Sequence, residues 1–575
     1  MSRPVRAQPI SRNLRASLAG VNRPARASAK KSGPFGSDNI CAVIAETTAS
    51  AAIRQTRDAL AQTHLLEIRL DDFAAPWESF RFLEWLRREK RKSTSAVCAA
   101  TFIATCRRRE AKGRFRGSIA EQLAWIALAV NCGCQWADVE IETSRKLPQG
   151  AISRWIAPAK WIVSAHDFSD THGKTASSAA GTLALLHAQG ADIAKIALPA
   201  RTLHEALDVI ALGRARFRAD RRTTRSAAGS ANRAVDGLGG RRTVAIPMGE
   251  ISLPARMLAL REGSPLVYSA ARAMTAPGQP TLLEALHLYH ADKITRKTRI
   301  YGVLGYPIAH SLSPALHNAA FQALEMDAVL LPFLTPAPAV FPTNSLCDFI
   351  RCIPRMGIRG FAVTLPHKET ILRYLDECDF LAAEIGAVNT VVVRRDGKLA
   401  GFNTDYFGIL RALERQITLG GSRVLILGAG GTARTAAYAL TREGAEVSIC
   451  ARRPERTRRL ARLVNGEALP RRALRHESFD VIVNATPVGM FPKTASSPLR
   501  GEELRCGLVV DAVYRPMQTR LLELAKAQGI KCVPGMEMFL AQGEAQFKIW
   551  TGKPAPEAAM RKAVLAALRE TRRSA

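Results

Sequence analysis

The stretch Ala191–Pro199, ADIAKIALP, decides the fold of the first half of the chain and carries Lys195 at its centre. The run is short, apolar and bounded by Gly190 and Pro199, a pattern that predicts a buried parallel strand. A lysine in an apolar setting needs charged partners or loses its proton, and a neutral amine is a nucleophile toward carbonyl groups. The alternative is a lysine that extends from a strand end into water.

Eight apolar runs, including this one, occur between residues 38 and 294, and helix-length sequence follows each of them. The runs are Ile40–Ala45, Leu65–Leu70, Ala96–Thr105, Ala137–Ile141, Trp161–Ala165, Ile193–Leu198, Val244–Pro247 and Leu266–Tyr268. Eight strand–helix repeats over about 250 residues predict an α/β fold, namely a (β/α)8 TIM barrel. In that fold the functional residues lie at the C-terminal ends of the strands.

Polar residues occur in the places where these runs end. They are Glu67, Arg69, Asp71, Arg107, Glu110, Glu140, Glu142, Ser164, His166, Asp167, Lys195 and Gln279. A single histidine at a strand end is more often structural than functional. Because the strand ends of a barrel meet on one rim, the whole set predicts a site there.

The chain is 575 residues long, a length that predicts several domains, and its net charge of +32 makes it strongly basic. No apolar run is long enough to span a bilayer. Residues 1–37 carry +8 and residues 214–242 carry +7. Their composition predicts a disordered basic tail and a disordered Arg-rich insertion. Eleven cysteines without paired CxxC spacing indicate a reducing, cytoplasmic compartment. The tail composition also fits an organelle transit peptide, so import remains the alternative.

The motifs of residues 38–294 resemble type I 3-dehydroquinate dehydratase. They are LLEIRLDDF, WADVEIE, WIVSAHDF, GADIAKIA, IPMG and APGQP. The resemblance implies that Lys195 forms a Schiff base with the substrate ketone and that His166 moves the proton during loss of water. It also implies substrate contacts at Glu67, Arg69, Arg107, Arg256 and Gln279. The stretch TCRRREAKG departs from the family pattern, since Glu110 follows Arg107 by three positions and no double glycine follows.

Residues 298–405 predict a second α/β region, with strands at Ile300–Leu304, Val329–Leu334 and Gly360–Thr364. The loop YGVLGYPIAHSLSP places two serines after a strand, where they serve as helix caps or as ligands. In GAVNTVVVRRDGKLAGFNTD, an Asp-Gly turn predicts a hairpin whose open end brings Asn389 and Asp405 together. With Lys368 after the preceding strand, such groups suit a polyhydroxylated substrate.

The stretch SRVLILGAGGTARTAAYAL runs from a strand through Gly428-x-Gly430-x-x-Ala433 into a helix. In that context the glycines predict a dinucleotide site at a helix N-terminus. About twenty residues later, where an NAD enzyme has an acid, the chain has Arg452 and Arg453. Two arginines favour the 2′-phosphate of NADP, and the alternative is an ordinary basic strand end.

The motifs of residues 298–575 resemble shikimate dehydrogenase. They are GYPIAHSLSP, VTLPHK, GAVNT, GFNTD, GAGGTAR, NATPVGM, DAVYRP and GMEMFLAQGEAQFKIWTG. The resemblance implies a catalytic pair, Lys368 and Asp405. The implied substrate contacts are Ser311, Ser313, Thr364, Asn389, Tyr514 and Gln542. The implied NADP contacts are Arg452 and Gly535, to which the glycine motif and the arginine pair add Gly428, Ala429, Gly430, Gly431, Ala433 and Arg453. Ala451-Arg452-Arg453 departs from the family, which often has Asn-Arg-Thr there. It implies a substrate lobe over 298–405, a Rossmann lobe over 406–535, and C-terminal helices over 536–575 that return to the substrate lobe.

The two resemblances together predict a bifunctional enzyme of the shikimate pathway. It would convert 3-dehydroquinate to 3-dehydroshikimate and then, with NADPH, to shikimate, because the product of the first half is the substrate of the second. No metal, membrane or nucleic-acid partner is expected, and the oligomeric state stays open. One alternative is a shikimate or quinate dehydrogenase with a weak or inactive barrel. Another is a basic nucleic-acid-binding protein, which the charge alone would favour.

Overall fold

The structure, a computed structural model, describes residues 38–168, 176–214, 242–272, 276–309, 311–337, 345–414 and 416–574. The tail 1–37 and nearly all of the insertion 214–242, for which disorder is predicted, lie outside the described residues. Among the described residues the chain divides into two compact units, with the boundary between Thr298 and Arg299. None of the described helices combines the length and the hydropathy needed to cross a bilayer.

The first unit alternates strands and helices. Its strands β1 to β8 are Ile40–Ile44, Leu65–Arg69, Thr101–Thr105, Trp136–Glu140, Lys160–His166, Ile193–Pro199, Arg242–Met248 and Val267–Ala270. Its helices α1 to α9 are Ala49–Leu60, Pro76–Lys90, Ala96–Ala99, Ile119–Asn131, Ile141–Ser144, Ala151–Trp155, Ala176–Ala188, Leu203–Ala211 and Leu253–Leu258.

The eight strands form one curled parallel sheet in the order β7-β6-β5-β4-β3-β2-β1-β8. Within the described ranges no backbone ladder joins β7 to β8, and a cavity of about 20 Å³ lies there, lined in part by Val244, Arg256 and Tyr268. Side chains from all the strands nevertheless meet in one buried cluster, which includes Trp136, Ile193 and Tyr268. The predicted α/β barrel architecture is confirmed, with a seam at which side-chain packing takes the place of hydrogen bonds.

One predicted strand begins too early. The run Ala96–Thr105 divides into the short helix Ala96–Ala99 and the strand Thr101–Thr105. The Ser95 hydroxyl accepts a hydrogen bond from the amide of Val97 and so caps this turn. A capped turn of small residues competes with extended backbone, and apolarity alone does not reveal that competition.

The second unit contains two six-stranded sheets. Its strands β9 to β20 are Arg299–Gly305, Ala328–Leu334, Ile358–Val363, Glu377–Cys378, Thr390–Val393, Leu399–Phe402, Arg423–Leu427, Glu446–Cys450, Glu467–Ala468, Phe479–Asn484, Cys506–Asp511 and Lys531–Val533. Its helices α10 to α18 are Ser313–Ala323, Ser345–Met356, Phe380–Ile385, Asp405–Leu413, Gly431–Arg442, Pro454–Leu463, Arg520–Ala527, Gly535–Thr551 and Glu557–Ser574.

The two sheets differ in strand direction. The first has the order β10-β9-β11-β13-β14-β12 and contains the predicted hairpin, with β13 and β14 antiparallel. The second has the order β17-β16-β15-β18-β19-β20 and is wholly parallel, as in a doubly wound dinucleotide fold. The helices α17 and α18 pack against the first sheet, since Phe539, Phe547 and Met560 share a buried cluster with Tyr301 and Phe321.

Candidate active sites

Lys195 lies on β6 in the interior of the first unit, and its side chain is 4% exposed. Its Nζ donates a hydrogen bond of 2.8 Å to Oδ2 of Asp138 and lies 3.6 Å from Oε1 of Glu67. The ring centroid of Tyr268 is 4.1 Å from the same nitrogen. The ammonium therefore has partners inside the sheet, and the alternative of a lysine that reaches water does not describe it.

The two carboxylates beside Lys195 are themselves held in place. The hydroxyl of Thr105 donates to Glu67 over 2.6 Å, and that of Ser164 donates to Asp138 over 2.5 Å. Burial alone would raise the pKa of Asp138, but the cations Lys195 and Arg107 outweigh it and lower that pKa below its usual range. Sequence reasoning missed Asp138. Its signal was an acid inside the apolar strand β4, two residues before Glu140 and so on the same side of the sheet.

His166 ends β5, and its Nδ1 has no hydrogen-bond partner within the described residues. Desolvation lowers its pKa well below the ordinary value, and the nearby cations Arg107, Lys195 and Arg69 add to this effect. The imidazole is therefore neutral at pH 7 and able to accept a proton.

Two loops of the rim are joined through Asp71. Its carboxylate accepts two hydrogen bonds from the Arg69 guanidinium, at 3.0 and 2.7 Å, and one from each backbone amide of Arg107 and Arg114. Burial would lower the pKa of Arg69, yet the Asp71 carboxylate raises it above its usual value. Both predicted arginines lie close enough to His166 for their charges to lower its pKa.

Glu110, the carboxylate that departs from the family pattern, pairs with an arginine of its own loop. It is 61% exposed and forms a two-point pair with Arg108, at 3.2 and 2.8 Å. The hydrogen bond from Arg108 lowers the pKa of Glu110 to about 2. The partner of the Glu110 carboxylate is thus the neighbouring Arg108.

Arg256 and Gln279 complete the predicted set in the first unit, and both are buried. The Arg256 Nε donates to the carbonyl of Pro247 over 2.9 Å, and burial lowers its pKa to about 10. Within the described residues no carboxylate pairs with it, so it is suited to an anionic group from outside the chain. Gln279 follows Gly278, at φ +72°, where a side chain would clash with the carbonyl of Gly249. The loop after β8 therefore lies directly against the loop after β7.

In the second unit Lys368 and Asp405 form the predicted pair. The Lys368 Nζ donates to Oδ2 of Asp405 over 2.5 Å and to the hydroxyl of Thr432 over 3.2 Å. Asn389 donates to the other carboxylate oxygen over 2.8 Å and to Gln542 over 3.3 Å. Lysine, acid, amide and glutamine thus lie in one connected network. Thr432, inside the glycine motif, is the member that sequence reasoning missed.

The other predicted substrate residues surround this network or the loops that lead to it. Tyr514 stacks on Phe539 with centroids 4.4 Å apart, and burial raises its pKa to about 12, with a further contribution from the charge of Asp405. Ser311 accepts a hydrogen bond of 3.3 Å from the amide of Ser313, the first residue of α10. Thr364 follows β11 and donates its amide to the carbonyl of Leu304.

The dinucleotide motif has the predicted context, since β15 leads through Gly428 into α14 at Gly431. Gly428 has φ +117°, and a side chain on Gly431 would come within 2.8 Å of Cβ of Lys368. Around Gly430 the space is open, as a pyrophosphate requires. Ala433 is buried beneath the turn, Ala429 is half-buried, and Gly535 lies against the backbone of Asp511 and Ala512. Arg452 and Arg453 are exposed after β16, at the place where a ribose 2′-phosphate would lie.

Comparisons with known protein families agree with both resemblances. Residues 40–225 and 231–296 match type I 3-dehydroquinase. Residues 303–391 match the shikimate dehydrogenase substrate binding domain, and residues 411–491 match shikimate / quinate 5-dehydrogenase. Residues 535–565 match the shikimate 5′-dehydrogenase C-terminal domain.

Individual relatives cover either 90% of the chain or about half of it. The chloroplastic bifunctional 3-dehydroquinate dehydratase/shikimate dehydrogenase of Arabidopsis thaliana is 32% identical over 541 residues, which cover 90% of this chain and 83% of that protein. The NADP(+) shikimate dehydrogenase of Thermococcus kodakarensis is 45% identical over 48% of this chain and 98% of its own. Shikimate 5-dehydrogenase from Thermus thermophilus, solved with NADP(H) and shikimate, is 40% identical, covers 47% of this chain and 100% of that one, and has a TM-score of 0.43. Because the Arabidopsis thaliana relative aligns with 90% of this chain and the two halves match their family models, the chain belongs to the family of bifunctional 3-dehydroquinate dehydratase/shikimate dehydrogenases.

Proposed function

We propose that the chain catalyses two consecutive reactions, dehydration of 3-dehydroquinate to 3-dehydroshikimate and NADPH-dependent reduction of that product to shikimate. The observation that carries this proposal is a pair of lysines, one in each unit, each bonded to a carboxylate. Lys195 lies beside Asp138 and Lys368 lies beside Asp405. In each case the lysine lies among groups that suit a polyhydroxylated carboxylate substrate.

In the dehydratase reaction Lys195 acts as the nucleophile. Its Nζ adds to the ketone carbon, the carbonyl oxygen leaves as water, and the positive charge of the lysine remains on the resulting iminium nitrogen. The iminium withdraws electrons from the adjacent carbon, so the neutral His166 can remove a proton there. The resulting imidazolium then gives its proton to the departing hydroxyl, which leaves as water. A second water molecule hydrolyses the iminium, which releases 3-dehydroshikimate as the ketone and restores Lys195. Arg256, which has no acid to pair with among the described residues, binds the substrate carboxylate.

In the reductase reaction Lys368 acts as the proton donor. NADPH, when bound, supplies the hydride to the carbonyl carbon. The ammonium of Lys368 gives a proton to the carbonyl oxygen as charge develops there, and Asp405 holds that ammonium in place. Asn389 fixes the second carboxylate oxygen of Asp405, so the pair keeps one orientation.

The second unit fits NADP(H) in particular. The open glycine turn suits the pyrophosphate, and Arg452 and Arg453 suit the 2′-phosphate. The relative from Thermococcus kodakarensis is named as an NADP(+) enzyme, in agreement with this assignment.

The proposed domains are a dehydratase over 38–294, a substrate lobe over 298–405, a cofactor lobe over 406–535 and returning helices over 536–575. The unit boundary after Thr298 and the packing of α17 and α18 on the first sheet support this division. A reducing compartment is proposed because none of the eleven cysteines, all of which lie in the described ranges, forms a disulfide. Since the Arabidopsis relative is chloroplastic, import through the basic tail remains the alternative.

A coupled assay tests both activities. The full chain receives 3-dehydroquinate and NADPH, and the loss of NADPH absorbance is followed for wild type, Lys195→Ala and Lys368→Ala. Two exposed lysines, in Lys146→Ala and Lys398→Ala, provide the matched controls. We expect NADPH consumption in wild type and in both controls, and none in the two site variants.

Supplying 3-dehydroshikimate directly separates the two halves of the proposal. Lys195→Ala should then consume NADPH at the wild-type rate, whereas Lys368→Ala should stay inactive. A wild type that reduces 3-dehydroshikimate but not 3-dehydroquinate would leave only the dehydrogenase half, and the loop around Glu110 would be the first region to examine. If wild type reduces neither compound, the proposal is wrong.

A further inference from the structure

The catalytic Lys368 is bonded to a helix that belongs to the cofactor lobe. Its Nζ donates to the hydroxyl of Thr432, in the first turn of α14, over 3.2 Å. The contact is close along the whole side chain, because even a methyl group on Gly431 would come within 2.8 Å of Cβ of Lys368. The residue that donates the proton therefore lies directly against the turn that receives the pyrophosphate.

The same helix contacts the substrate lobe at further points along its length. The Thr435 hydroxyl accepts from Asn403 over 3.0 Å, and the Tyr438 hydroxyl donates to Glu384 over 2.5 Å. Thr432, Thr435 and Tyr438 follow one another at three-residue spacing and so share one side of α14. Arg434 adds a hydrogen bond from its Nε to the carbonyl of Ile385 over 2.9 Å. One face of the dinucleotide helix is thus docked on the substrate lobe, and its N-terminal end meets Lys368.

An ammonium has three N–H donors, and the partners of Lys368 determine where the third one points. Asp405 and Thr432 accept two of them, and within the described residues nothing accepts the third. With two donors fixed from opposite lobes, the remaining N–H has one direction in which to reach a substrate oxygen. Asp405 alone would leave the ammonium free to rotate about a single bond to that carboxylate.

We infer that Thr432 is a positioning residue for the dehydrogenase reaction, whose hydroxyl orients the Lys368 ammonium and links it to cofactor occupancy at the N-terminus of α14. The inference rests on the proposed function of the second unit. A cofactor bound at this turn fixes the first turn of α14, and through Thr432 it fixes the proton donor. By linkage, substrate held on Lys368 strengthens cofactor binding by the same factor.

The test compares variants that differ only in the hydroxyl. Thr432→Val keeps the shape and removes the hydroxyl, Thr432→Ala removes it with the least bulk, and Thr432→Ser retains it. Thr441→Val is the matched control, since Thr441 lies on the same helix and its hydroxyl has no hydrogen-bond partner within the described residues. The full chain is used throughout, and its dehydratase rate serves as an internal measure of enzyme concentration.

With 3-dehydroshikimate and NADPH, we expect kcat to fall about 10-fold or more in Thr432→Val and Thr432→Ala, as for loss of a hydrogen bond to a charged group. The Kd of NADPH for the enzyme without substrate should stay within about 2-fold of wild type, because the pyrophosphate turn itself is unchanged. Thr432→Ser and Thr441→Val should keep nearly full kcat. Calorimetry should show that NADP+ tightens shikimate binding about 5-fold in wild type and less than about 2-fold in Thr432→Val.

Other outcomes overturn the inference without touching the proposed function. A large rise in the KM for NADPH at unchanged kcat would make Thr432 a phosphate contact and nothing more. Equal losses in Thr432→Val, Thr432→Ser and Thr441→Val would indicate a disturbed helix. An unchanged kcat in Thr432→Val would remove the role altogether. A wild type that fails to reduce 3-dehydroshikimate would instead overturn the dehydrogenase half of the proposed function.

Discussion

Replacing Arg256 by methionine should make the first unit more stable and its catalysis much poorer. Arg256 is 6% exposed, and within the described residues its one hydrogen bond runs from Nε to the carbonyl of Pro247. No carboxylate there offsets the burial of its charge. A methionine fills similar space without a charge, so the folded state no longer contains an unpaired buried cation. The substrate carboxylate, in turn, no longer has a guanidinium to bind.

The size of the effect follows from the fall in pKa from 12.5 to about 10, which desolvation causes. That fall corresponds to about 3 kcal/mol of unfavourable burial at pH 7, where the group is charged both folded and unfolded. Losing the hydrogen bond to Pro247 costs about 1 kcal/mol. The variant should therefore gain about 2 kcal/mol in free energy of unfolding. Losing a two-point contact to a carboxylate should lower dehydratase kcat/KM by about 100-fold, that is, by about 3 kcal/mol.

Urea denaturation followed by tryptophan fluorescence measures the stability of this unit, because six of the seven tryptophans precede residue 298. Arg69→Met is the matched contrast in the same site. Arg69 is paired with Asp71, whose carboxylate raises the arginine pKa, so its removal should leave Asp71 under-satisfied and destabilise the unit by about 1–3 kcal/mol. Two arginines of one site should thus change stability in opposite directions. If Arg256→Met is less stable than wild type, or if its kcat/KM is unchanged, the reasoning about an uncompensated buried cation is refuted.

Three further expectations follow from other groups. Burial lowers the pKa of His317 to about 4, below the unfolded value of about 6.5, so protonation favours the unfolded state. The contribution of this group is complete above about pH 6.5, and about 2 kcal/mol of it should be lost between pH 7 and pH 5. Because Asp511 and His367 of the same unit also have shifted pKa values, the measure is the difference in stability between wild type and His317→Gln at the two pH values, from urea titration of Trp550 fluorescence in a chain whose other tryptophans are phenylalanine. A difference that is the same at both pH values would refute this expectation. Tyr268→Phe removes a buried hydroxyl that has no hydrogen-bond partner in the described residues, so it should stabilise the first unit by about 1 kcal/mol in urea denaturation. Dehydratase activity should be kept, and a large loss of activity would show that the hydroxyl takes part in the reaction. Replacing Arg452 and Arg453 by serine should reduce the preference for NADPH over NADH at least about 10-fold in kcat/KM, and an unchanged ratio would assign the two arginines to an ordinary strand end.

The predictable part of this molecule lies in short-range patterns. The run around Lys195 predicted a buried strand because apolar periodicity and its flanking glycine and proline are local properties. The glycine motif predicted the strand, turn and helix around Gly428 for the same reason. Each pattern also depends on residue types that few others can replace, a lysine in the strand and glycines in the turn.

What escaped prediction depends on distant partners or on local competition. The role of Asp138 beside Lys195 joins residues 57 positions apart, and the bond between Lys368 and Thr432 joins residues 64 positions apart. No spacing within either segment indicates such a contact. The error at Ala96, where the strand was predicted to begin too early, has a local cause instead. The hydroxyl of Ser95 caps a helical turn over the next four residues.

The return of α17 and α18 to the first sheet of the second unit has a consequence for synthesis on the ribosome. The chain before Thr298 contains every strand of the first unit, so that unit can fold while the remainder is still being made. The core around Tyr301 and Phe321, in contrast, stays incomplete until Phe547 and Met560 have been synthesised. At about 5–20 residues per second, that interval lasts roughly 10–50 s. During this time the apolar side of the first sheet of the second unit is exposed, and a chaperone can bind to it.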